Sequence, residues 1–149
     1  MTRRAVVTGA SSGIGAATVR RLRSSGWEVV AVARRADRLA ALEAETGAVA
    51  FAADLTTDAD IDALTQFLAG SGAVHALAHI AGGARGTDRV EDGNVSDWQW
   101  MYDVNVLAVQ RLTRALLPQL RQAAASDSHA DLLFVTSTAA QVAYPGGGG

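Results

Sequence analysis

Five short stretches are apolar almost without interruption: RAVVTGA (4–10), WEVVAVAR (27–34), AVAFAADL (48–55), VHALAHIAGG (74–83) and LLFVTST (132–138). A strand with one wet face alternates apolar and polar residues. A run without alternation is buried on both faces. Longer amphipathic stretches separate the runs. AATVRRLRSSG (16–26) reads as a helix that stops at Gly26, and ADRLAALEAETG (36–47) as a second. In TTDADIDALTQFLAGSG (56–72), Thr57 is the expected N-cap, and Ile61, Leu64 and Leu68 share one face. After the polar loop ARGTDRVEDGN (84–94), a long helix is expected from Ser96 to about Ala124. Ser96 and Gln99 would form a capping box, and Pro118 would supply any kink. Trp98, Met101, Asn105, Ala108, Leu112, Leu116 and Leu120 fall near one face of it. Strand alternating with helix implies an α/β fold, a doubly wound parallel sheet of five strands with right-handed crossovers and helices on both faces.

Composition narrows the function. The chain has 149 residues, the size of one domain, with 49% hydrophobic and 19% charged residues, so it can bury a core. A net charge of −2 argues against nucleic acid or an anionic membrane as partner. There is no cysteine, hence no disulfide framework or thiol chemistry, and we expect no metal site. The apolar run near the N-terminus is too short for a signal peptide or a membrane span, so a cytoplasmic protein is expected. All thirteen basic residues are arginine.

The sharpest motif is TGASSGIG, Thr8 to Gly15, where the first strand turns into the first helix. Free backbone N–H groups and the positive helix end make that place a phosphate site. Gly9 would permit the tight turn, Gly13 the close approach of a pyrophosphate, and Gly15 close packing of helix on sheet; Ser11 and Ser12 add hydroxyls, and Ile14 completes the loop. The second strand ends in AVARRADR. An acid here would hold a ribose 2′-hydroxyl, but Arg34 and Arg35 stand in its place. Guanidinium groups suit a 2′-phosphate, which favours NADP(H) over NAD(H). Asp37 reads as an acid of the helix start.

TGASSGIG, the arginine pair, ADL after the third strand, AG after the fourth, Asn105 in the long helix and Ser137 after the fifth strand together resemble the classical short-chain dehydrogenase/reductase family. The resemblance covers essentially the whole chain, in order. It implies a Rossmann-type sheet, a nicotinamide coenzyme, and hydride transfer between an alcohol and a carbonyl of a small molecule. It further implies that Asp54 and Leu55 flank the adenine and that Ala81 and Gly82 run beside the ribose. By the same resemblance Asn105 joins a proton relay, Ser137 orients the substrate oxygen, and the helix from Ser96 mediates a homo-oligomer. The IAGGARG…W stretch echoes members acting on small 3-hydroxy acids.

The chain also departs from the family. His79-Ile80 stand where Asn-Asn is usual, and Ala140 replaces a glycine. His75 and His129 read as ordinary strand-edge or loop residues. The family's acid is a tyrosine with a lysine four residues later, about a dozen residues past the serine. Tyr144 lies close to Ser137, Pro145 follows it, and the chain ends in four glycines without a lysine. We therefore expect a partial chain cut before that motif, binding coenzyme weakly if at all and not turning over; a complete protein with a flexible tail is the other reading. A non-catalytic NADP(H)-binding or partner-interaction module is the functional alternative. A flavodoxin-type domain fits less well, because the glycines suit a pyrophosphate better than a single phosphate.

Overall fold

A computed structural model describes residues 2–86 and 88–142. Five parallel strands, β1 (Arg4–Thr8), β2 (Glu28–Ala33), β3 (Val49–Ala52), β4 (Ala76–His79) and β5 (Asp131–Phe134), form one sheet in the order β3-β2-β1-β4-β5. Helices α1 (Gly13–Ser24) and α2 (Ala36–Thr46) link the first three strands; α3 (Asp58–Ala69), α4 (Val95–Tyr102) and α5 (Ala108–Asp127) follow. This is the Rossmann-type doubly wound sheet. The chain winds outward from β1 to β3, then returns to pair β4 with the other side of β1. The crevice at such a reversal, outside the carboxyl ends of the strands, is where ligands bind.

Alternate residues of the central strands supply two separate cores. Val6, Val30, Val32 and Leu77 pack with Leu64 and Leu68 of α3 and Leu112, Leu116 and Leu120 of α5. Val7, Val29, Ala31 and Ala78 face the other way, onto Val19 of α1 and Leu39 and Leu42 of α2. Each fully buried leucine contributes on the order of 1.5–3 kcal/mol, so these two layers dominate the stability. Thr57 caps α3 as expected, its side chain accepting from the Asp60 N–H at 3.3 Å. Gly47 ends α2 in a left-handed turn at φ 67°.

Several expectations need correction. Not every strand is buried on both faces: β3 is half-exposed and β5 is exposed at all four positions, and among the described residues these two strands form the edges of the sheet. Helix α4 starts one residue before Ser96, and its cap is Asn94, whose Oδ1 accepts from both the N–H and the hydroxyl of Ser96 (2.9 Å each). The Ser96–Gln99 box does not form, since Ser96 already sits inside the helix. The long helix is also interrupted. Asp103–Leu107 form a π-helical stretch between α4 and α5, whereas Pro118 lies within α5. Only the C-terminal part of its apolar face is buried; Trp98 remains 47% exposed.

His75 is no ordinary edge residue. It is buried, and its Nδ1 accepts the Arg4 N–H at 3.0 Å, so the ring proton sits on Nε2, 3.2 Å from the Asp127 carboxylate. It ties the start of β1 to the end of α5. His129 lies in the exposed loop, as expected. Among the described residues no helix is long and apolar enough to cross a membrane, and no cluster of three His, Cys, Asp or Glu is placed to hold a metal ion.

Candidate functional site

At the carboxyl ends of β1 and β4 lies a cavity of about 520 Å³. Every residue that the sequence assigned to the coenzyme lines it: Gly9, Ser11, Ser12, Gly13, Ile14, Gly15, Arg34, Arg35, Asp54, Leu55, Ala81 and Gly82. The two residues expected in catalysis, Asn105 and Ser137, are not among its lining residues.

The glycine loop is shaped by its neighbours. Gly9 holds φ 66°, and a Cβ there would come within 2.8 Å of the Ala81 nitrogen. A Cβ on Gly15 would strike the Gly9 carbonyl. At Gly13, by contrast, the space a Cβ would fill is open. Ser12 occupies the N-cap of α1 without capping it, and the first turn carries no acid. The first N–H groups of α1 and the positive end of its dipole are therefore uncompensated. α3 differs on both counts, with Thr57 as cap and Asp58 and Asp60 in its first turn. An open, positively polarised helix start beneath a cavity fits a diphosphate.

Thr8 fastens the two strand ends together. Its Oγ1 accepts from the N–H groups of Ile80 and Ala81 (3.0 Å each) and lies 3.3 Å from the Ala78 carbonyl as donor. Thr8 opens the glycine motif, but no local signal marks it for this role. The two arginines diverge. Arg35 bends over the glycine loop and donates to Ser11 Oγ (2.8 Å from Nη2, 3.1 Å from Nε) and Ser12 Oγ (2.8 Å). Arg34 acts on Asp54, whose carboxyl is held below its ordinary value chiefly by the Thr56 hydroxyl (2.7 Å), against the opposing effect of burial, with the Thr56 N–H and the Arg34 charge assisting.

Trp100 and Val104, to which the sequence motifs assign no part in the site, also line the cavity. Asn105 holds the loop after β4: its Oδ1 accepts the Gly83 N–H at 3.0 Å and its Nδ2 donates to the Gly83 carbonyl at 2.8 Å. The amide is exposed rather than set in an apolar face, and both its polar atoms are engaged with that loop. Asn105 lies within the π-helical stretch. Ser137 is exposed, and its Oγ accepts the Ala139 N–H at 3.1 Å as the cap of a short 3-10 turn. Tyr144, Pro145 and the terminal glycines lie outside the described residues.

His79 also lines the cavity. It is 4% exposed, 2.8 Å from Thr113 Oγ1 through Nε2, and stacked on Phe134 with ring centroids 5.1 Å apart. Burial pushes its pKa down from 6.5 to about 4, so the ring is neutral at pH 7. The Asn-to-His departure is thus accommodated by a neutral ring that joins β4, α5 and β5.

A family profile described as short chain dehydrogenase matches residues 3–149. An uncharacterized oxidoreductase of Mycobacterium tuberculosis is 51% identical over 97% of this chain and 55% of that protein. A serine 3-dehydrogenase of Agrobacterium fabrum is 37% identical (95% of this chain, 56% of that protein), and a sulfoacetaldehyde reductase of Chromohalobacter salexigens 36% (94% and 56%). The chain spans about half the length of the curated relatives it matches. Among solved structures, the closed form of a serine dehydrogenase complexed with NADP+ superimposes with a TM-score of 0.84 at 31% identity, covering 97% of this chain and 58% of that one. A 3-ketoacyl-(acyl-carrier-protein) reductase from Brucella melitensis complexed with NADH gives 0.85 at 30% identity, covering 93% and 58%.

Proposed function

From the premise that the chain belongs to the short-chain dehydrogenase family, an oxidoreductase family, we propose that it binds NADP(H) and serves the interconversion of a carbonyl and a secondary or primary alcohol. The observation that carries this reading is the convergence of all the expected coenzyme residues on one cavity at the carboxyl ends of β1 and β4. The open N–H groups of α1 would receive the diphosphate, and Gly13 leaves room for it. Arg34 and Arg35 would hold the 2′-phosphate, with Arg35 exchanging its serine partners for phosphate oxygens. Asp54, ionised at pH 7, would accept from the adenine amino group. The coenzyme, when bound, supplies or takes the hydride. Ser137 would donate its hydroxyl to the substrate oxygen, and Asn105 would hold the loop that walls the reacting end.

Serine and sulfoacetaldehyde, named in two relatives, each carry an acid group on the carbon next to the one that reacts. We extend to this chain a short substrate of that kind. Self-association through α4, where Val95, Trp98 and Tyr102 are exposed, and residence in the cytoplasm belong to the same reading.

A fluorescence titration tests the coenzyme. NADPH should bind at least about tenfold tighter than NADH, and Arg34→Gln/Arg35→Gln should remove the difference. Equal affinity for the two in the wild type would overturn the NADP(H) assignment. The second reading, a coenzyme-binding module without turnover, is favoured by one observation: Ser137 and Asn105 stand outside the cavity lining, with their polar groups engaged locally. NADPH consumption with short aldehydes separates the two, since a module binds coenzyme and consumes none.

A further inference from the structure

We propose that Arg111 is a positioning residue for the adenine end of the coenzyme, holding from α5 the turn that presents Asp54; the assignment rests on the reading of the cavity given above. Asp54, Leu55 and Thr56 follow β3 and line the cavity, whereas Arg111 is not among its lining residues. Arg111 donates from Nη1 to the Thr56 carbonyl at 3.0 Å. Its Nε lies 3.5 Å from Oδ1 of Asp58, in the first turn of α3. One guanidinium fork thus serves the turn and the start of the helix that follows it, which a single ammonium could not do as well.

The other bonds of this turn are local. Asp54 Oδ1 accepts from the Thr56 N–H at 3.0 Å and the Thr56 hydroxyl at 2.7 Å. The Asp54 carbonyl accepts from the Thr57 N–H at 3.0 Å and the Thr57 hydroxyl at 3.2 Å, and the Asp54 N–H donates to Asp60 Oδ2 at 2.6 Å. These bonds shape the turn from within. Its root is joined to β2 by the Ala53 N–H, which donates to the Ala33 carbonyl at 2.9 Å. Among the described residues, the one side-chain hydrogen bond that reaches residues 54–57 from beyond α3 comes from Arg111, 55 positions from Thr56. It takes hold at Thr56, the residue whose hydroxyl and N–H fix the Asp54 carboxylate. A displacement of Thr56 therefore carries the carboxylate with it. The base of the tether is firm, since the neighbouring Leu112 is fully buried in the core. The same helix gives Ala108 and Val109 to the cavity lining, so it sets the Asp54 turn relative to a wall of the site.

Fluorescence titrations with NADPH and with its hypoxanthine analogue test this. The analogue offers a carbonyl oxygen where adenine offers an N–H donor, and an ionised carboxylate can only accept. The wild type should bind NADPH about five- to tenfold tighter than the analogue, the worth of one charge-assisted bond at a half-exposed site. Arg111→Met keeps the apolar stem and removes the donors. It should cut that preference to about twofold or less, while the NADPH-to-NADH ratio, read at Arg34 and Arg35, stays as in the wild type. Arg111→Lys, with one donor for the Thr56 carbonyl, should retain part of the preference. A merely structural loss would weaken NADPH and the analogue alike and leave their ratio untouched. The variant's melting temperature should fall by no more than about 4 °C. Hydrogen exchange without coenzyme gives a second measure: the Thr56 amide should exchange faster in Arg111→Met while the cores keep their protection. An undiminished preference for adenine in Arg111→Met, or an unchanged Thr56 exchange rate, would overturn the role of Arg111 alone. Equal binding of NADPH and the analogue by the wild type, or no binding of either, would overturn the Asp54 assignment and the role of Arg111 with it.

Discussion

The two sides of this sheet are built differently. Around β1, β2 and α1, backbone meets backbone: Gly9 touches the β4 exit, Gly15 touches Gly9, and Thr8 bonds two successive N–H groups across the strands. Around β5 and α4, the contacts are made by side chains on a surface that is otherwise open, with Leu132, Leu133 and Phe134 each at least 41% exposed. At Gly9 and Gly15 the first side tolerates no added atom. The second depends on a few polar and aromatic side chains, Asn105, His79 and Trp100, to set the position of loops. Under the proposed reading, the coenzyme would meet the backbone-packed side and the substrate the side built from side chains.

The largest effect is expected where the tight side is broken. Gly9→Val places a branched side chain at φ 66° and drives its Cβ into the Ala81 backbone. A left-handed backbone costs an L-residue about 1–2 kcal/mol, and overpacking about 1–3 kcal/mol more. We expect a loss of about 4 kcal/mol in a denaturant melt and no measurable NADPH binding. A variant that melted like the wild type and bound coenzyme would show that the strand ends can separate freely.

His79 lies where the two sides meet, and its effect is read by pH. Its folded pKa of about 4 lies below the ordinary 6.5. Between those values the unfolded chain binds a proton that the native state refuses, so stability rises with pH across the window and is lost as pH falls from 6.5 toward 4. The full loss is about 3 kcal/mol, since each unit is worth about 1.4 kcal/mol. His79→Asn should flatten that part of the stability profile and leave the carboxylate contribution below it. Equal slopes in the two proteins would mean that His79 is not buried neutral.

The contrast between the sides also governs what could be read in the sequence. The glycine loop, Thr57 as a cap and the alternating strand and helix pattern are local signals, each set by residues adjacent in the chain. The Arg35 clasp on Ser11 and Ser12, the His75 link between Arg4 and Asp127, and the Thr113–His79–Phe134 stack join residues that are far apart in sequence. No spacing rule signals such contacts. Asn94 displaced Ser96 as cap because two candidate residues stood two apart, and only geometry chose between them. The π-helical stretch was hidden because its residues keep ordinary helical propensity and nothing in their local spacing marks the wider turn.

On the open side, Asn105→Ala sharpens the comparison. It removes two bonds to Gly83 from an exposed site, a loss of about 1 kcal/mol after solvent takes over part of the pairing. The expected signature is local: exchange of the Gly83 amide hydrogen speeds up about fivefold while the cores keep their protection. A uniform increase across both cores would mean that the loop is part of the main folding unit.

The smallest effect belongs to Arg20, on the outer surface of the tight side. It forms a two-pronged pair with Glu45 (2.6 and 2.8 Å) that joins α1 to α2, and each partner favours its charged form in the other's presence. Good geometry alone would suggest a large contribution. Both side chains are about half exposed, however, so water and salt screen the attraction, and ordering two long side chains offsets much of what remains. Leu39 and Leu42 already hold α2 against the sheet from beneath. We expect Arg20→Ala to leave the melting temperature unchanged within error at 0.15 M salt or above. A clear drop, still present in 1 M salt, would locate the rigidity of this side in its surface pairs rather than in the backbone contacts around Gly9 and Gly15.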